Sequence, residues 1–266
     1  MTMTSPRWKI AIERAISQYN NQTGEQLNIN GYVGLIFSRL SVVQIATIDS
    51  TRPEGLIPRV RSHIFRAFLD SAANPALPLL LSSTDIRTPK VVQLTTKSQA
   101  EVVWWIESTK QQFRIIADIH IVPTPSHPLR SNFEHNLSNA EPGSALSLFK
   151  EYDWETRRVE MFKSMSASMK ASWCRPTPGS KLQGGQEEAK KWLERVEEPK
   201  LGLPDEKSDE AKRIWDIALG NFALVIIDPI EVDLLDLSSI PDRRTLFTQN
   251  KGGSRDHVWM EEELVP

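Results

Sequence analysis

Apolar residues recur along this chain in two rhythms. After Ser5-Pro6, a favourable helix start, Trp8, Ile12, Ala15, Ile16 and Tyr19 follow at helical spacing and predict a first helix with one buried stripe. From Ser41 the rhythm shortens to apolar and β-branched runs at residues 42–48, 59–68, 79–83, 101–106 and 111–122. Between these five runs only residues 88–98 leave room for a helix, which predicts an antiparallel barrel or sandwich and not a βαβ array. Residues 123–143, rich in Pro, Ser, Asn and His, are expected to form a surface loop. Residues 144–170 return to helical spacing through Leu148, Trp154, Val159, Phe162 and Met165 and should lie against the barrel. Residues 180–209 mix Glu, Lys, Gly and Pro around Trp192, Leu193 and Val196, the pattern of a solvated charged insertion with a short helix. A helix at 209–218 and strands at 221–227, 230–237, 244–247 and 257–260 complete the expectation, and no internal repeat is evident.

Composition narrows the class. At 266 residues and 39% hydrophobic, the chain can bury a substantial core; length alone permits one enlarged domain or two, and a single domain over residues 1–266 is the expectation. A formal charge of −2 argues against a general nucleic-acid binder, which would concentrate a basic excess. The single cysteine, Cys174, excludes an intramolecular disulfide and a multi-cysteine zinc site. The N-terminus lacks the apolar core of a signal peptide and no apolar run approaches a membrane span, so a soluble, cytoplasmic protein is expected. Eight tryptophans, including the Trp104-Trp105 pair in a strand, are assigned first to core packing.

Against that background, residues 61–112 stand out, because cations and hydroxyls interrupt stretches that otherwise look like buried strands. Arg61 and Arg66, five apart, point to opposite faces of a strand unless a bulge intervenes, so at least one turns toward the core or a cleft. Buried arginines need anions. One phosphate dianion would satisfy Arg61, Lys90 and the hydroxyls of Thr84 and Thr88, each charge-assisted bond contributing about 1.5–3 kcal/mol. Thr88-Pro89 also has the form of a helix N-cap, which leaves Lys90 unexplained but agrees with a phosphate at a helix N-terminus. Asp85 is placed to pair with Arg87. Gln112, at the start of a strand, is either a solvated edge residue or a hydrogen-bonding partner for a planar heterocycle. No Rossmann or P-loop glycine pattern, zinc-protease helix or serine-nucleophile elbow occurs. His120 shares a strand face with Arg114 and Asp118, and no histidine pair has metal-ligand spacing. Arg255 and His257 share a strand face, as a solvated pair or an anion site.

Taken in order, these residues resemble the FMN-binding split-barrel flavoproteins of the pyridoxamine 5′-phosphate oxidase-like branch. The resemblance rests on Arg61 followed five residues later by Arg66, on Ser83-Thr84 leading to Thr88-Pro89-Lys90, and on Trp104-Trp105 followed by Gln112-Phe113-Arg114-Ile115. It continues in Arg175-Pro176, in Pro241-Asp242-Arg243, Phe247 and Gln249, in Arg255-Asp256-His257, and in the terminal Leu264-Val265-Pro266.

The resemblance implies a mainly β fold with flanking helices, a Greek-key split β-barrel that binds FMN non-covalently as a homodimer, with the flavin at the subunit interface. Arg61, Thr84, Thr88 and Lys90 would hold the ribityl phosphate, Ser83 would also touch the cofactor, and Ile64, Phe65, Arg66, Gln112 and Gln249 would meet the ring. Arg66 would also serve catalysis as a fixed cation at the reduced ring, and Arg175, Arg255 and His257 would face a substrate. The implied function is an FMN-dependent oxidoreductase acting on an unidentified small molecule, with a flavin carrier or sensor, or an interaction protein that has lost flavin, as alternatives. Departures concern the substrate pocket. The oxidases have an arginine where this chain has Pro89 and another where it has Trp259, and they flank the Arg-Pro arginine with a tyrosine and a serine where this chain has Ala171 and Gly179.

Overall fold

The structure, a computed structural model, describes residues 4–23, 42–199, 206–250 and 258–266. The predicted first helix, α1 (Arg7–Thr23), buries Trp8, Ile12, Ala15 and Ile16 as its spacing requires. Buried Lys9 fastens it by bonds of 3.0 Å to Glu13 and 2.9 Å to Asp70.

Nine antiparallel strands follow among the described residues: β1 (Val42–Asp49), β2 (Ile57–Ile64), β3 (Ala67–Ser71), β4 (Asn74–Asp85), β5 (Gln99–Ile106), β6 (Gln111–Val122), β7 (Phe222–Asp236), β8 (Arg243–Gln249) and β9 (Trp259–Leu264). They form one sheet in the order β2-β1-β5-β6-β7-β4-β3, with β8 added to β7 and β9 to β8. β2 and β4 meet across the seam of the split barrel, where His63 Nδ1 lies 3.2 Å from Ser82 Oγ.

Two expected boundaries differ. The run 59–68 is two strands, broken at Phe65-Arg66 where the chain leaves β1 to pair with β4. Conversely, the runs 221–227 and 230–237 are one strand. The first half of β7 pairs with β4 and the second with β8, and the change falls at Pro229, beside a bulge where Ile230 of β7 is skipped opposite Ile116 and Ala117 of β6. Proline has no amide to donate, so it is accommodated at such an irregularity.

The sheet has apolar cores on both faces. Val43, Ile45, Leu80, Val102, Trp104, Phe113, Ile115 and Val225 fill the barrel with α1 and with α2 (Pro89–Thr96). Leu79, Leu81, Leu224 and Ile226 face the other way, toward α3 (Arg130–Ser138), α4 (Trp154–Lys163), α5 (Ala167–Ser172) and, beyond the short α6 (Gly185–Ala189), α7 (Glu206–Asn221). Burial on both faces explains the unbroken apolar runs of β4 and β7. The stretch 123–143 is not simply a surface loop, for α3 lies within it. Phe133 of that helix is buried and packs edge-on against Trp154 at 5.6 Å, a contact no local pattern announces. Residues 144–170 form α4 and α5 with a 3-10 turn at Leu146–Phe149 instead of one long helix. Asp153 and Ser166 cap the two helices and set their starts. Among the described residues, no helix is long and apolar enough to cross a membrane.

Candidate functional site

The site is built at the seam from β2, β4 and the first turn of α2. β2 pairs with β1 so that Arg61 is opposite Ile45 and His63 opposite Val43. Cross-strand partners share a face, and both partners are core residues, so Arg61 and His63 turn inward. The guanidinium of Arg61 stops at the mouth of the barrel, where Nη1 donates to Thr47 Oγ1 at 2.5 Å and Nη2 to Gln93 Oε1 of α2 at 2.6 Å. Thr47 in turn donates to Gln93 at 2.7 Å. Every partner of Arg61 is neutral.

Lys90 projects from the first turn of α2. Burial, and then the neighbouring Arg61, push its ammonium down to about 8, against a weaker upward pull from Asp85. Asp85 is engaged elsewhere: it forms a 2.6 Å ion pair with Arg87, the pairing expected from the sequence. Thr88 occupies the N-cap position with extended backbone, but its hydroxyl makes no cap bond; it donates to the Asp85 carbonyl at 2.8 Å and lies 3.4 Å from Thr84 Oγ1. The first amides of α2 therefore have no side-chain cap, which suits an anion at this helix end. His63 sits between these cations. Burial, Lys90 and Arg61 together push its imidazole down to about 3, so it is neutral, and its Nε2 is buried with no hydrogen-bond partner among the described residues.

Arg66 follows the break between β2 and β3. Its amide donates to the Leu81 carbonyl at 2.8 Å and its Nε to Ser83 Oγ at 3.3 Å, and burial pushes the guanidinium down to about 10. Side chains alternate along β4, so Arg66 and Ser83 occupy one side of that strand, with Ser82 and Thr84 on the other. Among the described residues, none of Arg61, Arg66 and Lys90 has a carboxylate within ion-pair distance. Arg61 and Lys90, partly desolvated, without an anion among the described residues and lined by hydroxyls, form a site that a phosphate dianion would neutralise, with Arg66 across the strand.

The structure gathers Arg61, Thr84, Thr88 and Lys90 at one place, with Arg66 and Ser83 just across β4. The other expected site residues lie apart. Ile64 is half-buried on the outward side of β2. Phe65 packs its ring into the core, 5.0 Å from Phe68 and 4.7 Å from Trp104, so only its backbone is open to a ligand. Gln112 lies opposite Trp105 and Leu235 on the outer face of the sheet, since its neighbour Phe113 is in the core. Gln249 is buried on β8 and lines a separate cleft of about 290 Å³ with Asp118, His120 and Asp228. Arg175 is exposed, its guanidinium 5.9 Å from the centre of the Trp192 ring. Arg255 and His257 lie outside the described residues. Sequence inspection passed over Thr47, Gln93 and His63. The signal for His63 was present, two residues beyond Arg61 and so on the same strand face; Thr47 and Gln93 reach the site only through strand pairing and the docking of α2.

Residues 5–123 match the family model for the pyridoxamine 5′-phosphate oxidase FMN-binding domain, a span that contains the whole cationic cluster. A pyridoxamine 5′-phosphate oxidase-related, FMN-binding protein from Nostoc punctiforme PCC 73102 is similar in structure, with a TM-score of 0.62 and 21% identity over 99% of this chain and 100% of its own. PhzG from Burkholderia lata 383, solved with tetrahydrophenazine-1-carboxylic acid, has a TM-score of 0.51 and 13% identity over 97% of this chain and 92% of its own. No curated protein matches. At these identities the structural likenesses carry the fold. In fold, and over residues 5–123, the chain is similar to the pyridoxamine 5′-phosphate oxidase-like split-barrel proteins.

Proposed function

We propose that this chain binds FMN and uses it in an oxidoreductase reaction, as a homodimer. The observation that carries the proposal is the cationic cluster of Arg61, Arg66 and Lys90, which has hydroxyls around it and no carboxylate within ion-pair distance among the described residues. Arg61, Lys90, Thr84, Thr88 and the open first turn of α2 would hold the terminal phosphate. Arg66, across β4, would lie toward the ring as a fixed cation able to stabilise negative charge on it. When bound, the flavin supplies the electron chemistry; the protein supplies position and electrostatics.

Gln112 supports the homodimer. It lies on the outer face of the sheet while Arg61 turns inward, and a second copy that brought its Gln112 to the first copy's flavin would let both residues serve one site. The alternative of an interaction protein that has lost flavin required Arg61 and Lys90 to pair with carboxylates, and among the described residues they do not. Mass spectrometry of the ligand released from purified protein, with calorimetry of FMN and riboflavin, tests the proposal. FMN is expected in the released fraction, with affinity well above that of riboflavin. Equal affinities would overturn the phosphate assignment, and a protein that binds neither would overturn the function.

A further inference from the structure

Arg87 lies between the two halves of the proposed chemistry and touches neither ligand position. Its Nε and Nη2 grip the Asp85 carboxylate at 2.9 and 2.6 Å, and Asp85 also accepts the Arg87 amide at 2.9 Å. The far edge of the same guanidinium reaches a segment more than eighty positions away, where Nη1 donates to the Arg175 carbonyl at 2.9 Å and Nη2 to the Trp173 carbonyl at 3.3 Å. The next residue, Thr88, bonds the Asp85 carbonyl and stands beside Thr84 in the cationic cluster. Residues 84–90 thus present hydroxyls and Lys90 to the phosphate position, and Asp85-Arg87 to the backbone of Trp173–Arg175. That backbone is fixed from two sides, since Asn221 Nδ2 also donates to the Trp173 carbonyl at 2.8 Å. The Arg175 side chain is exposed, with its guanidinium over the Trp192 ring. A planar guanidinium with donors on two edges is suited to such a link, because displacing one set of acceptors tilts the plane away from the other.

We propose that Arg87 is a positioning residue that couples occupancy of the flavin-phosphate loop to the order of the Arg175 arm, so that FMN binding tightens the hold on the second, substrate-facing cation. The inference rests on FMN binding at the Arg61–Lys90 cluster. Coupling is reciprocal, so an anion held by Arg175 would also tighten FMN.

Hydrogen exchange of the segment 170–176, with and without saturating FMN, tests the coupling in the full-length chain. The amides of Trp173, Cys174 and Arg175 bond within their own turn and report its order directly. In the natural sequence FMN is expected to slow their exchange by about fivefold or more, the lower end of usual couplings between sites. In Arg87→Met the slowing should vanish while FMN affinity stays within about threefold, since Arg87 does not face the cluster. Asn221→Ala removes another bond to the same carbonyl without linking it to the loop by a side chain. Its basal exchange should be faster, yet FMN should still slow it; a residue that merely braces the segment would make the two variants behave alike. Binding of FMN without slowing in the natural sequence would overturn the coupling, as would slowing that persists in Arg87→Met. Absence of FMN binding, read from flavin fluorescence in the same samples, would instead overturn the parent proposal and this inference with it.

Discussion

Lys90 carries a consequence that can be read in a pH titration. Its ammonium is brought down to about 8 from an ordinary 10.5, chiefly by burial. In the empty protein the unfolded chain therefore holds this proton more tightly, so the Lys90 contribution to stability rises with pH between about 8 and 10.5 and is flat below 8. A phosphate dianion beside Lys90 restores its charged form, so FMN binding takes up a proton above pH 8. Affinity is expected to fall roughly tenfold or more between pH 7 and 9.5, and Lys90→Met should abolish that slope; equal affinities in the natural sequence would mean that Lys90 does not meet the phosphate. Arg61→Ala and Lys90→Ala should each weaken FMN by about 1.5–3 kcal/mol, on the order of ten- to a hundredfold, with little change in the melting temperature of the empty protein. Unfolding with unchanged affinity in the folded fraction would assign these cations to the core. At the substrate arm, Ala171 is buried and Gly179 has a positive φ of 85°, so the tyrosine and serine of the oxidases have no equivalents there, and the Ser172 hydroxyl is already donated to the Met169 carbonyl at 2.6 Å. Even when loaded with FMN, the chain is expected to oxidise pyridoxamine 5′-phosphate with an efficiency a hundredfold or more below that of an authentic oxidase, roughly the loss of two bonds to a charged phosphate. Steady-state assays at saturating FMN check this, and matching efficiency would show that the pocket departures do not matter.

Elements place these residues more than their own propensities do. α2 begins at Pro89 because proline suits a first helical turn, and its docking brings Gln93 onto Arg61 and Lys90 beside it. α3 is the element that local pattern failed to announce: it is polar on most of its surface and is held by the single buried ring of Phe133 against Trp154 and by Arg130, which bonds Glu134 at 2.9 Å and the Pro123 carbonyl at 3.2 Å. Phe133→Ala should destabilise the protein by about 3–5 kcal/mol in denaturant titrations, because it leaves a cavity under Trp154. A loss under about 1 kcal/mol would mean that residues 123–143 behave as the loop their composition suggests.

For the whole molecule, the decisive property is that Gln112 lies on the outer face of the sheet while Arg61 turns inward. Light scattering is expected to give a mass near twice 30.2 kDa, and a strictly monomeric protein that binds FMN would remove the second copy from the site. Mixing Lys90→Ala chains with Gln112→Ala chains goes further: a mixed dimer has one intact site, so about a quarter of the sites should recover full FMN affinity on free exchange of subunits, and none if each site belongs to one chain. The sequence by itself determined much of this protein. Period-two and period-3.6 patterns located α1 and most strands, because burial of one face is a local demand on every amphipathic element. It also singled out Arg61, Arg66 and Lys90, because cations inside apolar strands conflict with that demand. Only the tertiary structure decided that these cations stand without carboxylates among the described residues, that Phe65 packs inward, that Gln112 faces away from Arg61 and Gln249 lines another cleft, that β7 runs unbroken through Pro229, and that Arg87 joins residues 85 and 175. Each depends on which strand or helix lies alongside, and partners distant in sequence leave no periodic trace in either segment.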